Sequence, residues 1–381
     1  MNAGGTLISV RKLLERLKES PPTAHVFTGF DGFIDYLEKP VRIRTRDGGV
    51  VYYDTIHDFA EHLFDLSGKS GQIEITTHTI KIGGNAPILA EALGTMGVHV
   101  HCVGSAGAGI PDPLFRKMNK NITLHPVSAP GISRALEFSD GKIIFSELSG
   151  FAHYDWANIV SLLGLQKLRE IAGQSRLMAL VDWSNLASAT PIWRGWLKDV
   201  VQFLPEGADR DFLFDLCDPS RKSKEDITAV LDLIGEFSGK GRVTLGVNEN
   251  ELISLWKSFN GGSPAPPIKE MGQSLFEKMK IECLLIHPLN RSILITKGYN
   301  MEMKGRVVSE PRLTTGGGDN FNAGYCLGLI AGVEPAKRLL LGMIASGAYV
   351  QNGRSPDLDD LISYASQWIV EQEHLEGAAM T

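Results

Sequence analysis

"TTGGGDNFNAG", Thr314–Gly324, decides how this chain reads: three consecutive glycines, one acid, then an apolar helical run. Glycine gives up more backbone freedom on folding than any other residue, so three in a row need compensation. Gly324, Gly328 and Gly332 follow at intervals of four and share one helix face. Each costs up to about 1 kcal/mol relative to alanine inside a helix, and together they let the helix lie close to a neighbour. Gly316, Gly317 and Gly318 then stand at the helix N-terminus, where the first N–H groups lack intrahelical partners and the macrodipole is positive. Such a turn cradles an anion such as phosphate. A carboxylate within it, Asp319, can take the proton of an attacking hydroxyl, and base plus cradle describe phosphoryl transfer. The same residues also read as an ordinary helix N-cap, so the rest of the chain has to decide.

The chain has 381 residues, 43% apolar and 22% charged, with a net charge of -6. That composition suits a globular protein with a large core and gives no attraction for nucleic acid or an anionic membrane. Cys102, Cys217, Cys283 and Cys326 lie far apart without a C-x-x-C pair, which argues against zinc or a disulfide framework and for a reducing cytoplasm. The first residues lack a signal peptide's apolar core, and no apolar run nears the roughly 18 residues that span a bilayer.

Arg11–Glu19 reads as a surface helix stopped by Ser20-Pro21-Pro22, and "HVFTGF" as a first strand. Farther on, short apolar strands ("LMALVDW", "DFLFDL", "RVTLGV") alternate with amphipathic helices ("KEDITAVLDLIGEF", "ENELISLWKSF"). The alternation predicts a parallel sheet covered on both faces, with ligands beyond the carboxyl ends of its strands. Two regions break it. Val41–Lys81 is rich in β-branched and aromatic residues, and Ile132–Leu148 surrounds an Asp140-Gly141 turn that signals a hairpin. They predict a small antiparallel sheet projecting as a lid, or else an extension of the main sheet's edge.

At this point "TTGGGDNFNAG" resembles the signature of the ribokinase-like (PfkB) carbohydrate kinases, Gly-Ala-Gly-Asp followed by x-Phe-x-Ala-Gly, with Gly317 in place of the alanine. The resemblance implies an α/β three-layer sandwich with a mainly parallel central sheet and a small antiparallel β lid. It implies a single domain over residues 1–381, with lid segments at about 40–82 and 131–150. The activity it implies is ATP-dependent, Mg²⁺-assisted transfer of the γ-phosphate to a hydroxyl of a sugar or sugar-like molecule. Asp319 would be the base, and Gly316, Gly317 and Gly318 the anion hole.

Other stretches carry the resemblance further. "GGNAPILAEALGTMG" (Gly83–Gly97) resembles the N-terminal signature, with Gly83, Gly84 and Asn85 at the sugar, although Ile88 stands where the family often has asparagine. "VNENE" offers Asn248 and Glu251 on the nucleotide side, Glu251 reaching Mg²⁺ through water; the pair also fits a helix capping pattern. "FDLCDPSRK" places Arg221 near the phosphates, "ILITKGYN" offers Lys297, and "SGAYVQNGRSP" puts Ala348 and Asn352 beside the base. In "GFDGFIDYL" the sugar-gripping acid is Asp35, with Asp31 as alternate, while "VDWSNL" offers Asp182 for the acceptor pocket or for capping a turn. Leu313 replaces the acid that often helps bind a monovalent cation, which implies little potassium dependence; Ala108 marks a loop without its usual aspartate.

Three alternatives stay open. One is a catalytically silent sugar or nucleotide sensor on the same fold, and another a nucleoside kinase of the same family. The third, a dinucleotide oxidoreductase, is opposed by the glycine spacing of "GSAGAG" and by Pro111 and Pro113, which break the helix it needs. Exposed lid edges invite pairing, so a homodimer through the lid is also open.

Overall fold

The computed structural model describes residues 3–205, 209–261 and 264–379. Its amino-terminal part runs α1 (Ala3–Glu19), β1 (His25–Phe30), β2 (Phe33–Arg44), β3 (Val50–Tyr52), α2 (Ile56–Asp65), β4 (Ile75–Gly83) and α3 (Asn85–Thr95). Next come β5 (His99–Gly104), β6 (Gly107–Ala108), β7 (Ile122–Ser128), β8 (Gly131–Phe138), β9 (Gly141–Glu147), α4 (Trp156–Leu163), α5 (Leu165–Gln174) and β10 (Ser175–Leu180). Then follow α6 (Ala189–Gly195), β11 (Asp211–Asp215), α7 (Lys224–Glu236), β12 (Arg242–Val247), α8 (Glu249–Asn260) and α9 (Ile268–Lys278). The chain ends with β13 (Cys283–Ile286), β14 (Arg291–Thr296), β15 (Asn300–Lys304), α10 (Gly317–Ile330), α11 (Pro335–Asn352) and α12 (Leu358–Ala379).

The large sheet has the strand order β15-β14-β13-β12-β11-β10-β1-β5-β7-β6. It is parallel from β13 through β7, while the β13–β14, β14–β15 and β7–β6 pairings at its two ends are antiparallel. Neighbouring residues of a strand serve opposite faces. Phe27, Leu180 and Phe214 join one core with residues of α4 to α9; Val26, Ala179 and Leu213 join the other with α1, α3, α10, α11 and α12. Continuous apolar strands are what two covered faces demand.

The smaller sheet has the order β3-β2-β8-β9, with β4 also on β2. It is antiparallel except that β2 and β8 run parallel. It begins at Phe33, ahead of the expected residue 40, because the alternating burial of "FIDYLE" belongs to it and not to the first strand. The hairpin turn is Ser139-Asp140, since Gly141 already pairs with Phe138. Helix α1 starts well before Arg11, because Leu7, Val10, Leu14 and Leu17 bury a stripe in the second core. No described helix is long and apolar enough to cross a membrane.

Candidate active site

The glycine turn opens α10 at the carboxyl edge of the large sheet. Gly316 is left-handed at φ 97°, and a Cβ there would come within 2.7 Å of the Tyr349 Oη, so glycine is required twice over. The Gly317 N–H donates to the Thr314 carbonyl at 3.1 Å, and Asn320 donates twice to the Gly316 carbonyl. Gly317 is therefore not an open donor, contrary to the three-amide cradle expected from sequence. The turn needs that bond to close. Among the described residues the Gly318 and Asp319 N–H groups have no protein acceptor, so the cradle consists of these two. Gly332 also departs from expectation. It lies past the helix at φ 65°, while Gly324 and Gly328 alone face the backbone of α11.

Asp319 is 9% exposed. Burial holds its carboxyl well above the usual carboxylate range; Asp215, Asp182 and Glu251 add to the effect, and Lys81 opposes it. A carboxylate with raised proton affinity suits a general base.

On one side of Asp319 lies a set of acids. Asp31 directly follows β1 and accepts from the Asn85 and Ala86 N–H groups at 2.6 and 2.8 Å, capping α3. Asp182 follows β10 in a left-handed conformation at φ 56°, which aspartate tolerates better than most non-glycine residues. Its Oδ1 accepts from Asn185 at 2.6 Å, and its buried Oδ2 has no partner. Burial pushes Asp31 far up and Asp182 up to about 6, and the two carboxyls interact with each other. Asp35 sits apart on β2, raised by burial and countered by Lys81, Ser133 and Lys142. The glycine pair of α3's signature makes room for these acids: a Cβ on Gly83 would collide with the Asp35 carboxylate, and one on Gly84 would come within 2.5 Å of Asp31 Oδ2. Ile88 packs beside Gly316, its Cγ2 3.6 Å from where a Cβ would stand there.

On the other side opens a cavity of about 510 Å³, lined by Asn248, His287, Gly317, Gly318, Phe321, Ser346 and Val350 among others. His287 stacks on Phe321 at 4.8 Å between ring centroids, and burial lowers its pKa, keeping it neutral. A mostly apolar slot with a few polar groups has the size and character of a small-molecule site. Asn248 and Glu251 form a closed capping box: the Glu251 N–H donates to Asn248 Oδ1 at 3.0 Å, and the Asn248 N–H donates to Glu251 Oε2 at 2.9 Å. Both Glu251 oxygens are thus occupied by Asn248, since its Nδ2 takes Oε1 at 2.6 Å. No cluster of three acid, histidine or cysteine residues among those described could hold a metal directly. Mg²⁺ fits only as a hydrated ion beside Asp215 and Glu251, neighbours whose mutual charge raises Glu251 after burial does.

Four expected nucleotide contacts lie elsewhere. Lys297 is exposed on the β14–β15 turn, and β14 runs antiparallel, so this turn is at the opposite edge of the sheet from Gly318. Ala348 is buried in the second core, facing away from the cavity that Ser346, Gly347 and Val350 line. Asn352 donates to Asp360 at 3.2 Å. Arg221 donates to Asn185 at 3.0 Å and so joins the Asp182 side. Sequence reading passed over Asp215, which ends β11 and accepts from Asn322 at 2.7 Å, and His287, which directly follows β13; the strand-end rule would have flagged both. It also passed over Lys81 and Lys142 on the smaller sheet, where no motif marks them.

A family model described as prokaryotic ketohexokinase matches residues 4–368. A ketohexokinase of Haloferax volcanii is 26% identical over 357 residues, 93% of this chain and 94% of that one. A probable sugar kinase from Rhizobium etli superposes with a TM-score of 0.62 at 15% identity, over 90% of this chain and 98% of its own. A putative ribokinase II from E. coli, solved with ATP and Mg²⁺, gives 0.59 at 14% identity over 90% and 99%.

Proposed function

The chain belongs to the prokaryotic ketohexokinase family, and from there we propose that it transfers the γ-phosphoryl group of ATP to a hydroxyl of a ketohexose, with Asp319 as general base. The fold is that of the ribokinase-like sugar kinases, and the activity is that of an ATP-dependent sugar kinase. The observation that carries the residue assignment is the place of Asp319. It is a buried carboxylate with raised proton affinity, next to two free amides, between a group of buried acids and the 510 Å³ cavity.

The 510 Å³ cavity takes the nucleotide, its base toward the His287–Phe321 stack and its phosphates toward Gly318. The sugar lies over Asp31, Asp182 and Asp35, where the unpartnered Asp182 Oδ2 can accept from a hydroxyl. Asp319 takes the proton of the attacking hydroxyl, and the Gly318 and Asp319 N–H groups meet the charge on the moving phosphoryl group. Asp215 and Glu251 would hold hydrated Mg²⁺, which supplies charge neutralisation at the phosphates. The smaller sheet acts as a lid that excludes water. Its exposed Ile43, Val51, Ile80, Ile144 and Phe145 make a homodimer through the lid part of the proposal, and a monomer on size-exclusion chromatography would remove it. The four cysteines are free thiols, in keeping with a reducing cytoplasm.

The experiment is ADP release with a panel of ketohexoses, aldohexoses and nucleosides, for the native protein and Asp319→Asn. Turnover with ketohexoses is expected, reduced at least about 100-fold in the variant while equilibrium ATP binding persists. Near-native turnover by Asp319→Asn would reject the base assignment, and turnover confined to nucleosides would reject the acceptor.

A further inference from the structure

We propose that Lys142 is a positioning residue that ties closure of the smaller sheet to formation of the phosphoryl-binding turn. This rests on the kinase reading above and adds a residue to it. Lys142 is the second residue of β9, and its Nζ donates to Thr315 Oγ1 at 2.8 Å. Thr315 immediately precedes Gly316, so the contact joins the smaller sheet to the start of α10 across 173 positions of sequence. From the opposite side, Tyr349 on α11 donates to the Thr315 carbonyl at 2.6 Å. The residue that sets the left-handed Gly316 is therefore clamped through its side chain by the sheet and through its main chain by the helix layer.

Lys142 is itself held. Its cross-strand partner Glu137 lies 2.8 Å from Nζ and is bonded in turn to His78 at 3.0 Å. At 22% exposure the ammonium is not a freely solvated surface charge, and such a charge-assisted bond is worth more than an exposed ion pair. Two of its three N–H groups are engaged, and among the described residues the third has no protein acceptor. Its charge also reaches Asp35 and Lys81, so the same ammonium bears on the sugar side and on the phosphoryl side of Asp319. A lid that opened would withdraw Lys142 and leave Thr315 held by Tyr349 alone. Closing it restores the second clamp just where Gly318 and Asp319 must face the phosphoryl group.

The test compares native protein, Lys142→Met, Lys142→Arg, Thr315→Val and the Lys142→Met/Thr315→Val double variant, reading ketose phosphorylation, sugar-independent ATP hydrolysis and equilibrium ATP affinity. Lys142→Met should lower kcat about tenfold, the cost of one charge-assisted hydrogen bond, with ATP affinity within about twofold. It should also raise the share of ATP lost to water. Lys142→Arg should recover most of the rate. Thr315→Val should reproduce the defect, and the double variant should add nothing, as expected for two ends of one contact. Additive defects, an arginine variant as poor as the methionine one, or native turnover by Lys142→Met would overturn the proposal. Should Lys142→Met fail to fold, Thr315→Val against Thr315→Ser decides it: only the serine keeps an acceptor for Lys142. Absence of ketose phosphorylation by the native protein would instead defeat the kinase reading.

Discussion

Asp31 and Asp182 show what two buried acids cost a fold that needs them. Burial raises both, Asp182 to about 6 against an ordinary 3.8, and the charge of Asp182 raises Asp31 further. A carboxyl whose folded-state pKa is raised lends stability that is fully present below its unfolded value and is lost as pH rises through the folded value. The window for Asp182 therefore runs from 3.8 to about 6, and at neutral pH the pair strains the fold. Asp182→Asn keeps the oxygen that accepts from Asn185 and removes the charge. Its melting temperature should exceed the native one at pH 7, and the gain should vanish toward pH 4. A gain independent of pH would show that charge is not the cause. The variant should also raise KM for the ketohexose, since the acid would no longer present its unpartnered Oδ2 carboxylate to a hydroxyl. The strand-end rule pointed to Asp182 and the carbohydrate-kinase resemblance to Asp31, but their contact was illegible: the residues lie far apart in sequence and meet only because β1 and β10 are neighbours.

Helices α10 and α11 pack backbone to backbone. A Cβ on Gly324 would collide with the Leu341 carbonyl, and one on Gly328 would stand 3.0 Å from the Arg338 Cα. Gly324→Ala must push the helices apart and should cost about 1–3 kcal/mol by denaturant titration. Because α10 carries Asp319 at its start, kcat should fall as well; unchanged stability would mean the helices yield without strain. This close packing was readable from glycines spaced four apart, because helical periodicity is local. The nucleotide contacts were less readable for the converse reason. Lys297 follows an apolar strand as a phosphate contact would, yet only the antiparallel pairing of β14 with β13 reveals that its turn lies at the wrong edge. Ala348 missed by the rotation of one helix, its neighbours Gly347 and Val350 facing the cavity while it faces the core.

Across the whole molecule the large sheet is polarised. Its carboxyl edge gathers acids whose proton affinity burial raises, whereas its amino-ward part carries a string of histidines whose affinity burial lowers. His25, His101 and His125 lie on the same face as Phe27, Val103 and Val127, as strand alternation requires. His25 Nδ1 stands 3.3 Å from His101 Nε2, and His101 Nδ1 stands 3.3 Å from His125 Nε2. Gln174 reaches His101 at 3.2 Å, and His99 and Lys167 complete the charged and titratable groups around the string. Burial, then His101 and Lys167, lower His125 to about 4. In the unfolded chain such imidazoles take protons near 6.5, so the folded state keeps its full stability above that value. It loses stability as pH falls toward 4, because the folded string resists protonation. The acids at the other edge act oppositely over the same range. His125→Gln, which keeps a hydrogen-bonding group and removes the titration, should therefore flatten the fall in urea midpoint between about pH 7 and pH 5 relative to native protein. Asp182→Asn, lacking one compensating acid, should steepen it. If both variants follow the native profile, neither end of the sheet governs the acid limb, and the polarity has no thermodynamic weight.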